Sequence, residues 1–137
     1  MTSLQSTTVL VGRILLGLIF VLSGFAKLSG FDGTAGYIAS KGLPMPQLLA
    51  ALTIVVELGG GLALMAGFFT RQAVVALAGF SLLTAVVFHN FWAAPQAEQM
   101  MQQINFMKNL AIAGGMLVVA AFGPGRLSLD ARRLGAA

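Results

Sequence analysis

Four long apolar segments, separated by short polar stretches, limit what this chain can fold into. They cover about residues 8–26, 47–69, 72–92 and 104–122. In a helix, which rises about 1.5 Å per residue, segments of this length cross a hydrocarbon core of roughly 30 Å. A soluble domain of 137 residues could not carry 58% hydrophobic and only 9% charged residues on its surface. The sequence therefore predicts an all-α membrane protein, a bundle of four transmembrane helices in a single domain that comprises residues 1–137.

The ends of the apolar segments carry signals for separate helices. Ser6 and Thr7 are N-cap candidates for the first helix, and prolines precede the second helix and follow the third and fourth. A cleaved signal peptide is the alternative for the first segment, because Gly24 and Ala26 are small residues at a suitable cleavage position. Its charged region would be thin, with Arg13 inside the apolar stretch, so we expect a retained helix.

Lysine and arginine residues at the segment ends predict the orientation in the membrane. One side has five arginines and the other has three lysines; these residues are Arg13, Arg71, Arg126, Arg132 and Arg133 on the first side, and Lys27, Lys41 and Lys108 on the second. The side richer in positive charge is expected in the cytoplasm, which places both termini there and the two longer loops, 27–45 and 93–103, outside. The net charge of +4 is spread over separate loops, so we expect no nucleic-acid partner.

Glu57 is the one charged residue between Gly42 and Thr70. It follows Pro46 by eleven residues, or roughly 16 Å along a helix axis, which puts it near the middle of the bilayer. A carboxylate at this depth has no water to solvate it and needs a partner or a proton. Glu57 is therefore the first candidate for a functional side chain.

Other polar residues are predicted to lie in the same, outer half of the bundle. Together with Glu57, these residues form a candidate ligand-binding cluster, whose members are Lys27, Glu57, His89, Asn90, Lys108 and Asn109. The aromatic residues Phe88, Phe91, Trp92 and Phe106 gather at the same interface as an expected aromatic belt.

Structural roles are the alternative for each residue of this cluster. A buried acid–base pair can fix helix packing without any chemistry, and His89 can rest at the interface with one end in water. Lys27 and Lys108 can extend to the membrane surface as anchors. No catalytic residue can be assigned from these patterns.

Metal and thiol chemistry are not expected in this chain. It has no cysteine and one histidine, which excludes disulfides, iron–sulfur clusters and dithiol chemistry and leaves too few ligands for zinc. A redox role would need a bound cofactor or a partner protein.

Two further features are expected to be architectural. Arg13 resembles an arginine at the cytoplasmic boundary, where a lipid phosphate would satisfy it. Gly59, Ala63 and Gly67 form a stripe of small residues that would let a neighbouring helix approach closely. Gly60 and Gly61 widen that surface.

The segments as a set resemble the DoxX family of small four-helix bacterial inner-membrane proteins. The resemblance is carried, in order, by GRILLGLIFVLSGFAKLSGF, GLPMP, VELGGGLALMAGFFTR, FHNFW and MKNLAIAGGMLVVAAFGPGRLSLD. The family pattern falls on Arg13, Gly17, Ser23, Gly24, Lys27, Glu57, Gly60, Gly61, Gly67, His89 and Lys108.

The resemblance implies a multi-pass protein of the bacterial inner (plasma) membrane. Family members resemble subunits of membrane oxidoreductase systems, including a quinone-reducing enzyme that oxidises thiosulfate, and others are associated with oxidative-stress defence. It therefore implies a quinone as a candidate cofactor and an oxidoreductase as a candidate partner protein, besides membrane lipids and further copies of this chain. A shared family does not by itself assign a reaction.

Two functional hypotheses follow. In the first, the polar cluster binds a quinone or a similar lipophilic redox molecule. In the second, the chain is a non-catalytic membrane subunit or scaffold whose polar cluster is purely structural. A small transporter is a further alternative. The chain has no flavin or nucleotide motif, which favours a subunit of an oxidoreductase system over an enzyme that acts alone.

Overall fold

The computed structural model describes residues 2–135, and every regular element in this range is helical. The elements are α1 (Ser3–Ser29), α2 (Phe31–Ser40), α3 (Pro46–Ala66), α4 (Thr70–Phe88), a 3₁₀ helix (Phe91–Ala93), α5 (Gln96–Phe122) and α6 (Leu129–Arg133).

Helices α1, α3 and α5, together with α4 and the turn that follows it, are long and apolar enough to cross a membrane. The predicted all-α bundle of four transmembrane helices is confirmed. Helix α1 packs mainly on α3, and α4 packs mainly on α5. Smaller contacts join α3 to α4 and α1 to α5. We call the end of the bundle that carries α2 the loop end, and the end that carries the α3–α4 turn the terminal end.

The outward faces of the spanning helices are apolar. Leu15, Val55 and Leu83 are each more than 60% exposed, at 64%, 67% and 63%. Such side chains would be unfavourable in water but suit a hydrocarbon environment. The inner core is also apolar and is built around Phe20, Leu64, Leu77 and Met116 and their neighbours.

Two helices extend beyond their apolar segments. Helix α1 begins with a capping box, in which Gln5 N donates to Thr2 Oγ1 (3.2 Å) and Thr2 N donates to Gln5 Oε1 (2.8 Å). The expected cap residue Ser6 lies inside the helix instead. Helix α5 starts at Gln96, directly after Pro95, so most of the expected loop 93–103 is helical. Glutamine and methionine favour helices without being apolar enough to mark a membrane segment.

The expected loop 27–45 contains the helix α2. Its buried residues Ala35 and Ile38 pack on Ala50 at the start of α3, with Phe31 and Phe88 beside them. The apolar residues of α2 follow a helical spacing of three and four. Ten residues are too few to give a membrane-length signal, which is why hydropathy alone misses this helix.

Glycines allow close helix contacts, but not along the whole of the expected stripe. A Cβ at Gly61 would lie 3.0 Å from Gly17 O on α1, and a Cβ at Gly60 would lie 2.9 Å from Leu77 Cδ2 on α4. Gly59 has no such neighbour within 4 Å, and Gly67 ends α3 with φ of +69°. The expected stripe is therefore wrong at Gly59, which faces open space, whereas Gly67 lies against Arg13 and Ser128, and Gly60 and Gly61 face neighbouring helices as expected.

Candidate functional site

A cavity of about 280 Å³ lies between the helices in the half of the bundle nearest the loop end. We call it the intramembrane cavity. Helices α1 to α5 all contribute to its walls, and so does His89 at the end of α4. The lining residues are Ile19, Phe20, Ser23, Lys27, Thr34, Tyr37, Ile38, Thr53, Glu57, Phe80, Ser81, Thr84, Phe88, His89, Asn109 and Ile112.

The lining residues follow the helical period along each helix, so one face of each helix turns toward the cavity. Residues 20, 23 and 27 of α1 are three and four apart, and Thr53 and Glu57 of α3 are four apart. Side chains at this spacing lie one above the other on a helix. Hydroxyl groups and charges thereby collect on faces that would otherwise be apolar.

Lys27 and Glu57 form an ion pair at this cavity. Lys27 Nζ donates to Glu57 Oε1 at 3.0 Å and lies 2.9 Å from Oε2. The second contact is ionic but lacks hydrogen-bond geometry, and within residues 2–135 Oε2 has no hydrogen-bond partner. Glu57 is only 5% exposed, whereas the Lys27 side chain is 31% exposed. The pair joins α1 to α3, and the second carboxylate oxygen of Glu57 is buried without a hydrogen bond among the described residues.

Asn109 forms part of the opposite wall. Its Nδ2 donates to Ser81 O at 3.2 Å and to Thr84 Oγ1 at 3.1 Å, which ties α5 to α4. The Thr84 hydroxyl donates in turn to Phe80 O at 2.9 Å. The Asn109 amide nitrogen therefore joins α5 to α4 at the cavity wall.

His89 ends α4 and has one ring nitrogen engaged. Its Nδ1 lies 2.9 Å from Gln102 Oε1 on α5. With the amide oxygen as acceptor, Nδ1 donates the proton of this contact. This contact explains the conformation of the imidazole at the cavity wall.

The structure therefore brings Lys27, Glu57, His89 and Asn109 to one cavity. It does not bring Lys108 or Asn90 there: Lys108 is exposed on α5, and Asn90 is half-buried before the 3₁₀ helix.

Sequence reasoning missed the contribution of α2, which supplies Thr34, Tyr37 and Ile38 to the cavity. The Tyr37 hydroxyl donates to Phe88 O at 3.4 Å, and the two rings lie 5.6 Å apart. Of the expected aromatic belt, Phe88 thus lines the cavity. Phe91, Trp92 and Phe106 form a separate edge-to-face cluster with centroids 5.3 to 5.8 Å apart.

Arg13 forms a second polar centre, at the terminal end. Its guanidinium is fully buried and donates through Nη1 to Leu64 O (3.1 Å) and Met65 O (3.3 Å), and through Nη2 to Leu127 O. The first two carbonyls are at the carboxyl end of α3, where the helix dipole favours a cation. The expected contact with a lipid phosphate was wrong, because backbone carbonyls surround this arginine.

Asp130 caps α4 from a distant part of the chain. Phe69 occupies the N-cap position of α4 and has no side-chain acceptor. The Asp130 carboxylate provides the missing acceptor. Phe69 N donates to Asp130 Oδ1 at 2.9 Å, and Thr70 N and Oγ1 donate to Asp130 Oδ2 at 2.8 and 2.7 Å. Burial alone would raise the pKa of Asp130, but these donors and the nearby Arg133 together lower that pKa below its ordinary value.

Within residues 2–135, no three His, Asp or Glu side chains come together in a way that could hold a metal ion.

Comparison with known proteins identifies the family. A model of the DoxX family matches residues 8–90. Inner membrane protein YphA of Escherichia coli is 44% identical over 123 residues, covering 90% of this chain and 88% of that protein. Inner membrane protein YqjF of the same species is 42% identical over 130 residues, covering 95% of both chains. "Putative oxidoreductase CatD" of Bacillus subtilis is 33% identical over 75 residues, covering 55% of this chain and 54% of its own.

No solved structure matches the chain. The family model nevertheless covers more than half of the sequence, and two relatives align with nearly all of it. This chain belongs to the DoxX family.

Proposed function

We propose that this chain is an inner-membrane protein that binds a quinone or a similar lipophilic ring in the intramembrane cavity. In this proposal it serves as a membrane subunit of an oxidoreductase or oxidative-stress system, with both termini in the cytoplasm. The observation that carries it is the ion pair of half-buried Lys27 with buried Glu57 at the cavity, where Glu57 Oε2 has no hydrogen-bond partner among the described residues. The similarity to the inner membrane proteins YphA and YqjF supports a place in the inner membrane, and the similarity to "Putative oxidoreductase CatD" supports a role in redox chemistry.

The cavity lining suits a flat ring that carries oxygen atoms. Phe20, Phe80 and Phe88 provide apolar walls, and the ion pair provides one donor and one acceptor. The Lys27 ammonium can donate to a ring carbonyl, and the Glu57 carboxylate can accept from a ring hydroxyl. The oxidised and the reduced ring would each find a partner in the same pair.

Within this proposal the chain supplies binding and proton exchange, and the partner supplies electrons. Reduction of a quinone to a quinol takes up two electrons and two protons. A carboxylate beside an ammonium in a water-poor site can hold and pass a proton. We assign the electrons to an associated oxidoreductase protein.

The alternative function is a scaffold, in which the ion pair only joins α1 to α3. The same contact favours it, because the Lys27 ammonium and the Glu57 carboxylate bridge these two helices directly. The two functions differ in whether the cavity retains a ligand.

The test is mass spectrometry on protein extracted from its native membrane with a lipid-preserving polymer. Glu57→Gln and Lys27→Met each remove one partner of the pair, and Lys108→Met is the matched control, because Lys108 is exposed outside the cavity. We expect a quinone enriched over bulk lipid in the wild type and in the control. Retention in the two cavity variants should fall about tenfold, the effect of losing one charged hydrogen bond.

Equal quinone retention by all four proteins, or no enrichment in the wild type, would contradict the binding function. A stoichiometric partner protein that co-purifies without any quinone would support the scaffold.

A further inference from the structure

We propose a second binding site at the terminal end of the bundle, a basic pocket that takes a phosphate group such as those that anionic lipid headgroups carry. This basic pocket has a volume of about 590 Å³. Its lining residues are Phe69, Arg71, Gln72, Pro124, Gly125, Arg126, Asp130, Ala131, Arg133 and Leu134. It shares no lining residue with the intramembrane cavity and does not depend on the function proposed for that cavity.

The pocket has an excess of positive charge. Arg71, Arg126 and Arg133 line it together with one acid, Asp130. Both oxygens of Asp130 accept hydrogen bonds from the start of α4, and within residues 2–135 none of the three arginines has a carboxylate oxygen within 4.0 Å. Three guanidinium groups around one engaged carboxylate make the pocket suited to an anion, and guanidinium geometry matches a phosphate.

Arg133 is held in place before any ligand arrives. Its guanidinium carbon lies 5.1 Å from the Phe68 ring centroid and 4.6 Å from that of Phe69. Helix α6, which carries Arg133, is fastened to the α3–α4 turn, since Asp130 N donates to Gly67 O at 2.8 Å. A fixed cation loses less entropy on binding than a free one.

The position of the pocket favours an amphiphile over a soluble anion. The pocket lies where α4 begins and α5 ends, which is the level of lipid headgroups for spanning helices. Apolar side chains lie beside the arginines: Phe69, Ala131 and Leu134. A phosphate attached to acyl chains can contact both parts, and basic pockets at the ends of membrane helices commonly take such headgroups.

The test measures lipid binding by native mass spectrometry of the full chain in detergent. The probes are phosphatidylglycerol, which is anionic, and phosphatidylcholine, which is zwitterionic. We compare Arg126→Gln with Arg132→Gln, because Arg132 is an exposed arginine of α6 that does not line the pocket. We expect phosphatidylglycerol to bind the wild type and Arg132→Gln equally, and to bind Arg126→Gln about tenfold more weakly.

Inorganic phosphate distinguishes the two sources of the anion. Phosphate that displaces phosphatidylglycerol and raises the thermal midpoint of wild type but not of Arg126→Gln would identify a general phosphate site. Phosphate without effect would identify a lipid site, and each result supports the pocket. Equal binding of phosphatidylglycerol to Arg126→Gln and Arg132→Gln, or equal binding of the two lipids to the wild type, would overturn the proposal. Matching thermal midpoints of lipid-free Arg126→Gln and wild type would show that the variant is folded.

Discussion

The two buried charges of the spanning helices are stabilised in different ways. Arg13 donates to three backbone carbonyls, so its positive charge is distributed over fixed dipoles. Glu57 has a single cationic partner, Lys27, which is partly exposed. A charge with several backbone partners is suited to holding structure, whereas a charge with one partly exposed side-chain partner can exchange that partner for a ligand.

Asp130 makes the stability of the terminal end depend on pH. The pKa of Asp130 is lower in the folded state than its ordinary value near 3.8, so its contribution to folding is complete above that value. The contribution is lost as the pH falls through the lowered pKa. We therefore expect the thermal midpoint of the wild type in detergent to fall more than that of Asp130→Asn as the pH is lowered below the ordinary value near 3.8. Parallel curves for the two proteins would show that the cap adds nothing, since the other acids titrate alike in both.

Sequence reasoning identified the unusual charges but not all their partners. Lys27 and Glu57 were expected in the same half of the bundle, because both positions follow from helix length. The acceptors of Arg13 are the backbone carbonyls of Leu64, Met65 and Leu127, up to 114 residues away. Every residue has a backbone carbonyl, so the residue types give no sign of these contacts. The capping role of Asp130 is likewise a contact over 60 residues.

The α1–α3 contact depends on glycines that face each other. Gly17 O lies where a Cβ at Gly61 would meet it, and a Cβ at Gly24 would lie 3.2 Å from Leu58 N. Close backbone approach of this kind supports helix association through van der Waals contact, which matters most where no hydrophobic effect drives helices together.

Gly61→Ala and Gly59→Ala form a matched pair that tests this contact. The new methyl group at Gly61 would lie 2.9 to 3.1 Å from Val21, Gly17 O and Phe20, whereas at Gly59 it meets nothing within 4 Å. We expect Gly61→Ala to reduce the free energy of unfolding by about 1 to 3 kcal/mol through overpacking. Gly59→Ala should be neutral or should stabilise by about 0.5 kcal/mol through helix propensity. Denaturation in mixed micelles measures both, and equal stability would mean that α1 and α3 can separate at no cost.

Hydropathy predicts membrane segments better than it predicts helix ends. Hydropathy located the four spanning helices because a segment that crosses hydrocarbon must be apolar and must form its backbone hydrogen bonds within a helix. It did not locate α2 or the first turns of α5, because these parts are amphipathic or polar. Because α2 was not predicted, Thr34 and Tyr37 were not recognised as residues that line one wall of the cavity.

The bundle as a whole separates two kinds of polar site. The intramembrane cavity is lined by the helices that meet at the loop end, and the basic pocket is lined by the start of α4 and the C-terminal segment at the terminal end. Between them lies the apolar core around Leu64, Leu77 and Met116. Changes at one end should therefore leave ligand binding at the other end unaffected.

A double variant separates bundle assembly from ligand binding at the cavity. Lys27→Met alone leaves Glu57 buried without a cation and should destabilise the bundle by about 2 to 3 kcal/mol. Adding Glu57→Leu replaces the ion pair with two apolar side chains, which in buried sites is often neutral or stabilising. We expect the double variant to recover the thermal midpoint of the wild type, measured in detergent.

We expect that the same double variant does not recover the proposed quinone binding, because it has neither the donor nor the acceptor that the proposal assigns to the pair. Mass spectrometry of polymer-extracted protein measures that retention beside the thermal midpoint. Recovery of both properties would leave the ion pair with no part in binding, and recovery of neither would make the pair essential to folding. Recovery of stability without recovery of the quinone would place the ligand at Lys27 and Glu57. The double variant would then be folded and would differ from the wild type only in these two polar groups.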